Sequence, residues 1–194
     1  MILSACLKRY ALITGMLILS AAPIAAQSSR GYVGVSGGTA TGDLRGGSVN
    51  LDSKWGFMGG LFAGFRTSRN SVGQLEANYV QKGGDGVSLD YIEIPFTAGA
   101  VLPLGQSGAR VRLYTGIGLG FKVSCDSSDI RLNCNLARGT EWTWPFGISL
   151  GKTSQSLYYA IDARYSIPLS DAFDSHIAAN YSWQFRLFLG KPIN

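Results

Sequence analysis

Charge is scarce in this chain. Only 15% of its 194 residues are Asp, Glu, Lys or Arg, against about 25% in ordinary soluble domains. Histidine occurs once and cysteine three times, and no two cysteines stand in a Cys-x-x-Cys pair. A zinc site, which needs several His or Cys ligands at close spacing, is excluded on that count. Beyond residue 27 no segment approaches the roughly 20 apolar residues of a membrane-spanning helix. The longest uncharged apolar-leaning run is about Ile94 to Leu104, and it holds Pro95 and Pro103. Low hydrophobicity with high net charge, the mark of disorder, is missing, as is the Ala-, Glu-, Lys- and Leu-rich make-up of a coiled coil. What is abundant is glycine, 26 residues, or about twice the usual share of roughly 7%. Aromatic residues make up 11%. A chain rich in glycine and aromatics but poor in charge reads as an all-β membrane or secreted protein.

The first residues point to export. Lys8 and Arg9 precede an uncharged apolar stretch, Tyr10 to Ala26, which ends at Ala25-Ala26-Gln27. Basic region, apolar region and small-residue site follow the order of a secretory signal peptide. The expected division is a signal peptide over 1–26 and one domain over 27–194. A retained anchor is disfavoured by Thr14, Ser20 and Pro23. Leu3-Ser4-Ala5-Cys6 looks like a lipidation box, but it stands before the apolar region instead of after it. Without Lys8 and Arg9 the chain holds 15 basic and 12 acidic residues, net +3. That is too mild and too scattered for a nucleic-acid partner. Cys125 and Cys134 remain, nine positions apart in a polar stretch. In an oxidising compartment such a pair reads as one disulfide closing a short loop.

Apolar residues recur with period two, the signature of strands. Near the end of the chain Ile177, Ala179, Tyr181, Trp183, Phe185, Leu187 and Leu189 share one face, and Phe188 is the large apolar exception on the other. Val111, Leu113, Ile117, Leu119 and Phe121 alternate with Arg112, Tyr114, Gly116, Gly118, Gly120 and Lys122. Trp142, Trp144, Phe146, Ile148 and Leu150 alternate with Glu141, Thr143, Gly147 and Ser149. Like patterns begin near Gly31, Trp55, Leu75, Ile92 and Leu157, which makes eight strands. Long polar connections, about 40–53 and 123–140, alternate with tighter ones such as 67–70 and 103–108, and a further connection is expected over 82–88. An even strand number, outward apolar residues and long loops at one end describe a small transmembrane barrel. Closure leaves no strand edge exposed to lipid. The expected fold is therefore all-β: an eight-stranded antiparallel up-and-down transmembrane β-barrel after an N-terminal signal peptide.

The less apolar face carries Glu76, Glu93, Arg112, Asp162, Arg164 and Arg186. Three acids and three bases balance, as a filled barrel interior of paired charges requires. A soluble sandwich, with the aromatic face buried between two sheets, is the alternative that period two leaves open. Trp55, Trp142 and Trp144 open strands at the long-loop end, and Phe65 and Phe185 are placed near the opposite end. These five form the expected aromatic girdles.

The stretch Leu75-Glu76-Ala77-Asn78-Tyr79-Val80-Gln81-Lys82-Gly83-Gly84, with Tyr91-Ile92-Glu93-Ile94-Pro95-Phe96 after it, resembles a hairpin of the outer-membrane β-barrel domain family. These proteins are also called porin-family or PorT-like, and the wider likeness is to small OmpA- or OmpX-type barrels. The resemblance implies location in the outer membrane of a Gram-negative cell, contact with its lipid and insertion by its assembly machinery. Members commonly end on an aromatic residue. This sequence instead runs past Phe188 to Asn194, which leaves Phe185, Leu187 and Leu189 as a substitute insertion signal. Neither a cofactor nor an activity is implied, because function lives in sites and loops.

The preferred function is structural or surface interaction through loops 40–53 and 123–140. A narrow solute channel is the first rival, because inward Gly116, Gly118 and Gly120 would allow a void. An outer-membrane enzyme is the second. Its one candidate base is His176, beside Ser175 and near Asp171 and Asp174, without a second histidine to support acyl-transfer chemistry.

Overall fold

The structure, a computed structural model, describes residues 31–46, 49–128, 134–173 and 179–193. Its strands are β1 (Gly31–Gly46), β2 (Val49–Asn50), β3 (Lys54–Ser68), β4 (Ser71–Gly84), β5 (Val87–Leu104), β6 (Ala109–Ser127), β7 (Thr140–Thr153), β8 (Tyr158–Pro168) and β9 (Ala179–Ile193). A short 3₁₀ turn, Cys134–Leu136, is the only helical element among the described residues. Each barrel strand pairs antiparallel with the next, and β1 pairs with β9 from Gly31↔Ile193 to Arg45↔Ala179. The sheet therefore closes into a barrel of eight staves, β1 and β3–β9, with β2 attached only to the end of β1.

Closure turns the period-two pattern inside out relative to a soluble protein. Outward residues are apolar and bare: Leu61 is 63% exposed and Leu187 62%. Inward residues include Gln74, Glu76, Asn78, Arg164 and Arg186, all nearly inaccessible. An ordinary sandwich core would bury the first set and expose the second.

Strands reach further at the long-loop end than the sequence alone suggests. The expected loop at 40–53 is largely strand: β1 continues to Gly46 and stays paired with β9 through Arg45↔Ala179. Ala40, Gly42 and Leu44 keep facing inward there, so pairing outweighs the weak strand propensity of a Gly- and Thr-rich stretch. The expected connection at 82–88 shrinks to Asp85-Gly86, because Lys82↔Leu89 and Gly84↔Val87 are register pairs. Gly86 has φ +77°, a value glycine adopts at little cost, and Asp-Gly is a favoured two-residue hairpin turn. Within 123–140, β6 runs on to Ser127 and pairs with Val87 of β5.

Cys125 on β6 is bonded to Cys134 at the start of the 3₁₀ turn. The returning segment is also held by Lys122 Nζ, which donates to the carbonyls of Ala137 (2.5 Å) and Cys134 (3.4 Å). Ala137 bridges to Phe173, and Arg138 N–H donates to Ala172 O at 2.8 Å. Replacing both cysteines by serine is expected to lower stability by about 2–3 kcal/mol through loop entropy. Urea titration of the folded gel band, with and without reductant, measures this. An unchanged midpoint means that the hydrogen bonds alone fix the segment.

Candidate functional site

The interior of the barrel is the feature to be explained, and it is stacked in three zones. The zone nearest the long loops is apolar. Leu44, Val87, Leu89 and Tyr91 point inward from β1 and β5 and pack with Ala137, Ala172 and Phe173 from the connecting segments. Leu51 and Cys125 close their margin. Leu44, Val87, Leu89 and Tyr91 are wholly inaccessible, and Phe173 nearly so. The disulfide thus fastens a segment that belongs to this plug.

Below the plug lie the charges. Lys82 forms ion pairs with Glu93 and, at 3.5 Å, with Glu141. Gln184 Nε2 donates to Glu93 Oε2 at 3.3 Å. Register explains the meeting of the two acids: Gly120 of β6 pairs with Glu93 on one side and Glu141 on the other. A Cβ on Gly120 would stand 3.3 Å from the Tyr91 ring, so glycine leaves the acids and the ring their space.

Deeper still, Glu76 accepts from Arg164 (2.5 Å) and Arg186 (2.6 Å). It also accepts from the amides of Gln74 (2.9 Å) and Asn78 (2.8 Å). Asp162 stands directly opposite Arg186 in the β8–β9 register and binds it at 2.5 Å. The Tyr114 hydroxyl donates to Asp162 at 2.8 Å, and Arg164 Nε donates to that hydroxyl at 3.2 Å. Arg112 donates to Gln74 Oε1 (2.8 Å) and Thr97 Oγ1 (2.7 Å) and lies over the Tyr114 ring.

The zone toward the short turns is aromatic. Phe62 meets Phe188 edge-on at 4.9 Å between centroids, and Tyr32 stacks on Tyr158 at 4.2 Å. Tyr32 lies across Gly64, where a Cβ would come within 2.1 Å of its ring.

All six expected interior charges are buried in the barrel. Lys82 and Glu141 join them, so the buried charges of the described interior are four acids and four bases. Lys82 was hidden inside an expected turn, yet it keeps the parity of Glu76, Asn78 and Val80. Glu141 shares the inward face that alternates with Trp142 and Trp144. Phe62 also points inward, and Phe188, the expected exception, faces it inside the barrel.

The inward glycines do not leave a void. A Cβ at Gly116 would stand 2.0 Å from Phe96 O, and one at Gly118 would stand 2.5 Å from Thr143 Oγ1. Backbone and side chains fill those places.

On the outer surface Trp55, Trp142 and Trp144 lie exposed at the long-loop end. Phe65 lies at the turn end, paired with Gly31 and Gly73. Phe185 does not join it. It stacks near Trp55 (6.5 Å) and Trp183 (6.2 Å), because β9 runs on past Phe185 to Ile193 at the turn end and register sets Phe185 opposite Thr39. His176, Ser175 and Asp174 lie outside the described residues. Among the described residues no group of three or more His, Cys, Asp or Glu side chains is placed to hold a metal.

A closed antiparallel barrel of eight staves, apolar without and charged within, is a transmembrane barrel of the outer-membrane class. Residues 11–151 match the family model described as outer membrane protein beta-barrel domain, and the chain belongs to that family. Its place is the Gram-negative outer membrane. Neisserial surface protein A has a similar structure at TM-score 0.59 and 13% identity, over 85% of this chain and 99% of that one. The N-terminal β-barrel domain of Pseudomonas aeruginosa OprF is similar at TM-score 0.53 and 11% identity, over 86% and 100%. At such identities the likeness is one of fold. No curated protein matches the sequence.

Proposed function

We propose that the protein is a non-conducting, non-enzymatic surface barrel whose long-loop end faces outside. The observation that carries this reading is the apolar plug: wholly buried Leu44, Val87, Leu89 and Tyr91 close the barrel beneath connecting segments fastened by a disulfide. A solute path needs continuous polar, hydrated space, as in the wider porins, and the plug opposes it from the loop end. Engaging the interior acids with Arg164, Arg186 and Lys82 leaves them occupied in holding the wall together. On this reading the barrel is a rigid mount, and the surfaces that meet other molecules are the β1–β3 and β6–β7 connections. Outward Leu61, Ile94, Leu113 and Leu187 contact lipid, with Trp55, Trp142 and Trp144 at one interface and Phe65 at the other. Residues 1–26 serve as the export signal removed before assembly, and the outer-membrane assembly machinery inserts the remainder.

An epitope inserted between Asp85 and Gly86 is expected to be detected on intact cells. The same epitope after Gln106, in the β5–β6 turn, is expected only after the cells are permeabilised. The reverse pattern would put the plug on the inner side and sink the surface reading.

A further inference from the structure

Charge balance holds for the buried charges taken together but fails locally. Glu76 and Asp162 compensate Arg164 and Arg186, and Glu93 and Glu141 compensate Lys82. Arg112 has no carboxylate within ion-pair range among the described residues. It is 6% exposed, its two hydrogen bonds go to a neutral amide and a hydroxyl, and its Nε has no partner. A buried cation without a counter-charge is costly.

Arg112 also lines a cavity of about 710 Å³ that opens among the short turns. Arg66 and Arg110 line it too, with Ser149 and Ser154. The stacked Tyr32 and Tyr158 and the side chains of Val72 and Val101 form its less polar wall. The surroundings repeat the bias. Segments 66–75, 99–112, 150–160 and 188–193 contain Arg66, Arg69, Arg110, Arg112, Lys152 and Lys191 and not one Asp or Glu. Basic side chains therefore predominate at the mouth of the cavity, and Glu76 and Asp162 behind it are already paired with Arg164 and Arg186, so the balance favours anions.

We propose that this turn-end cavity binds a phosphate-bearing anion, with Arg112 at its floor and Arg66 and Arg110 nearer its mouth. Guanidinium forks match phosphate oxygens bidentately. A tetrahedral phosphate presents more acceptor oxygens than a planar carboxylate, and so uses three guanidiniums and the Ser149 hydroxyl more fully. The anion supplies the charge that Arg112 lacks. Two sources share this chemistry: a free phosphoanion, and the headgroup of an anionic phospholipid in the leaflet beside the turns.

Calorimetric titration of the folded full barrel in maltoside micelles, which contain no phosphate, separates them. One arm injects inorganic phosphate, and the other injects mixed micelles of phosphatidylglycerol without free phosphate. Saturable binding is expected in at least one arm, and the arm that saturates names the source. Arg112→Met is expected to weaken that binding about tenfold or more, the worth of a charge-assisted hydrogen bond. Arg69→Gln, whose side chain does not line the cavity, is expected to leave it unchanged. Should Arg112→Met fail to fold, the double variant Arg66→Gln/Arg110→Gln carries the same comparison. No saturable heat in either arm, undiminished binding by the cavity variant, or equal loss in Arg69→Gln would overturn the proposal.

Discussion

Replacing Glu76 by leucine is expected to cost about 3–5 kcal/mol, because it removes one partner of a buried ion network and leaves charge uncompensated. Glu76 alone accepts from Arg164, Arg186, Gln74 and Asn78. Its loss strands two guanidiniums: Arg186 keeps Asp162 and the Tyr114 hydroxyl, and Arg164 keeps that hydroxyl. The informative companion is the variant Glu76→Gln/Asp162→Asn/Arg164→Met/Arg186→Met, which removes all four charges together. Replacing a whole buried network is often close to neutral, so this variant is expected to be the more stable of the two. Urea titration of the folded band in lipid measures both. A single variant as stable as the parent would mean that water already screens the layer.

Leu187→Arg is expected to cost about 2–4 kcal/mol, the penalty of a cation on the lipid face near the midplane of a barrel. Leu187 is 62% exposed and pairs with Gly37 of β1 and Ile161 of β8, well away from both ends. Val123→Arg makes the same chemical change at a similarly exposed position, close to the end of β6. Its cost is expected to be about 0–1 kcal/mol, because the penalty falls toward the interfaces. The same titration checks both. Equal, small costs at the two positions would mean that Leu187 does not face lipid.

These expectations rest on a facing pattern that the sequence states openly. Trp183, Phe185, Leu187 and Leu189 against Ser182, Gln184 and Arg186 determine which side of β9 meets lipid, and the structure keeps that assignment. Period two says nothing, however, about where a strand stops. Ala40 to Gly46 and Lys82 to Ser88 look like loops because their propensities are weak, whereas their pairing with β9 and β5 decides the matter. A loop assignment there conceals Lys82, the cation of the upper ion cluster. Depth is equally invisible, because it follows from register around the closed sheet. Phe185 seemed distant from Trp55 along the chain, yet closure between β9 and β1 brings the rings to 6.5 Å. The rule that inward means polar also failed where rings of Phe62 and Phe188 pack on one another inside the barrel. A barrel interior accepts apolar side chains as readily as paired charges, provided that they fill it.

Single-channel recording of the folded protein in a planar bilayer tests the filled interior most directly. With the apolar plug, the charge layers and the aromatic layer in place, the bilayer is expected to stay electrically silent while heat-modified mobility on gels shows that the protein is folded and inserted. Reproducible ohmic steps from that same preparation would contradict the sealed barrel and restore the solute channel.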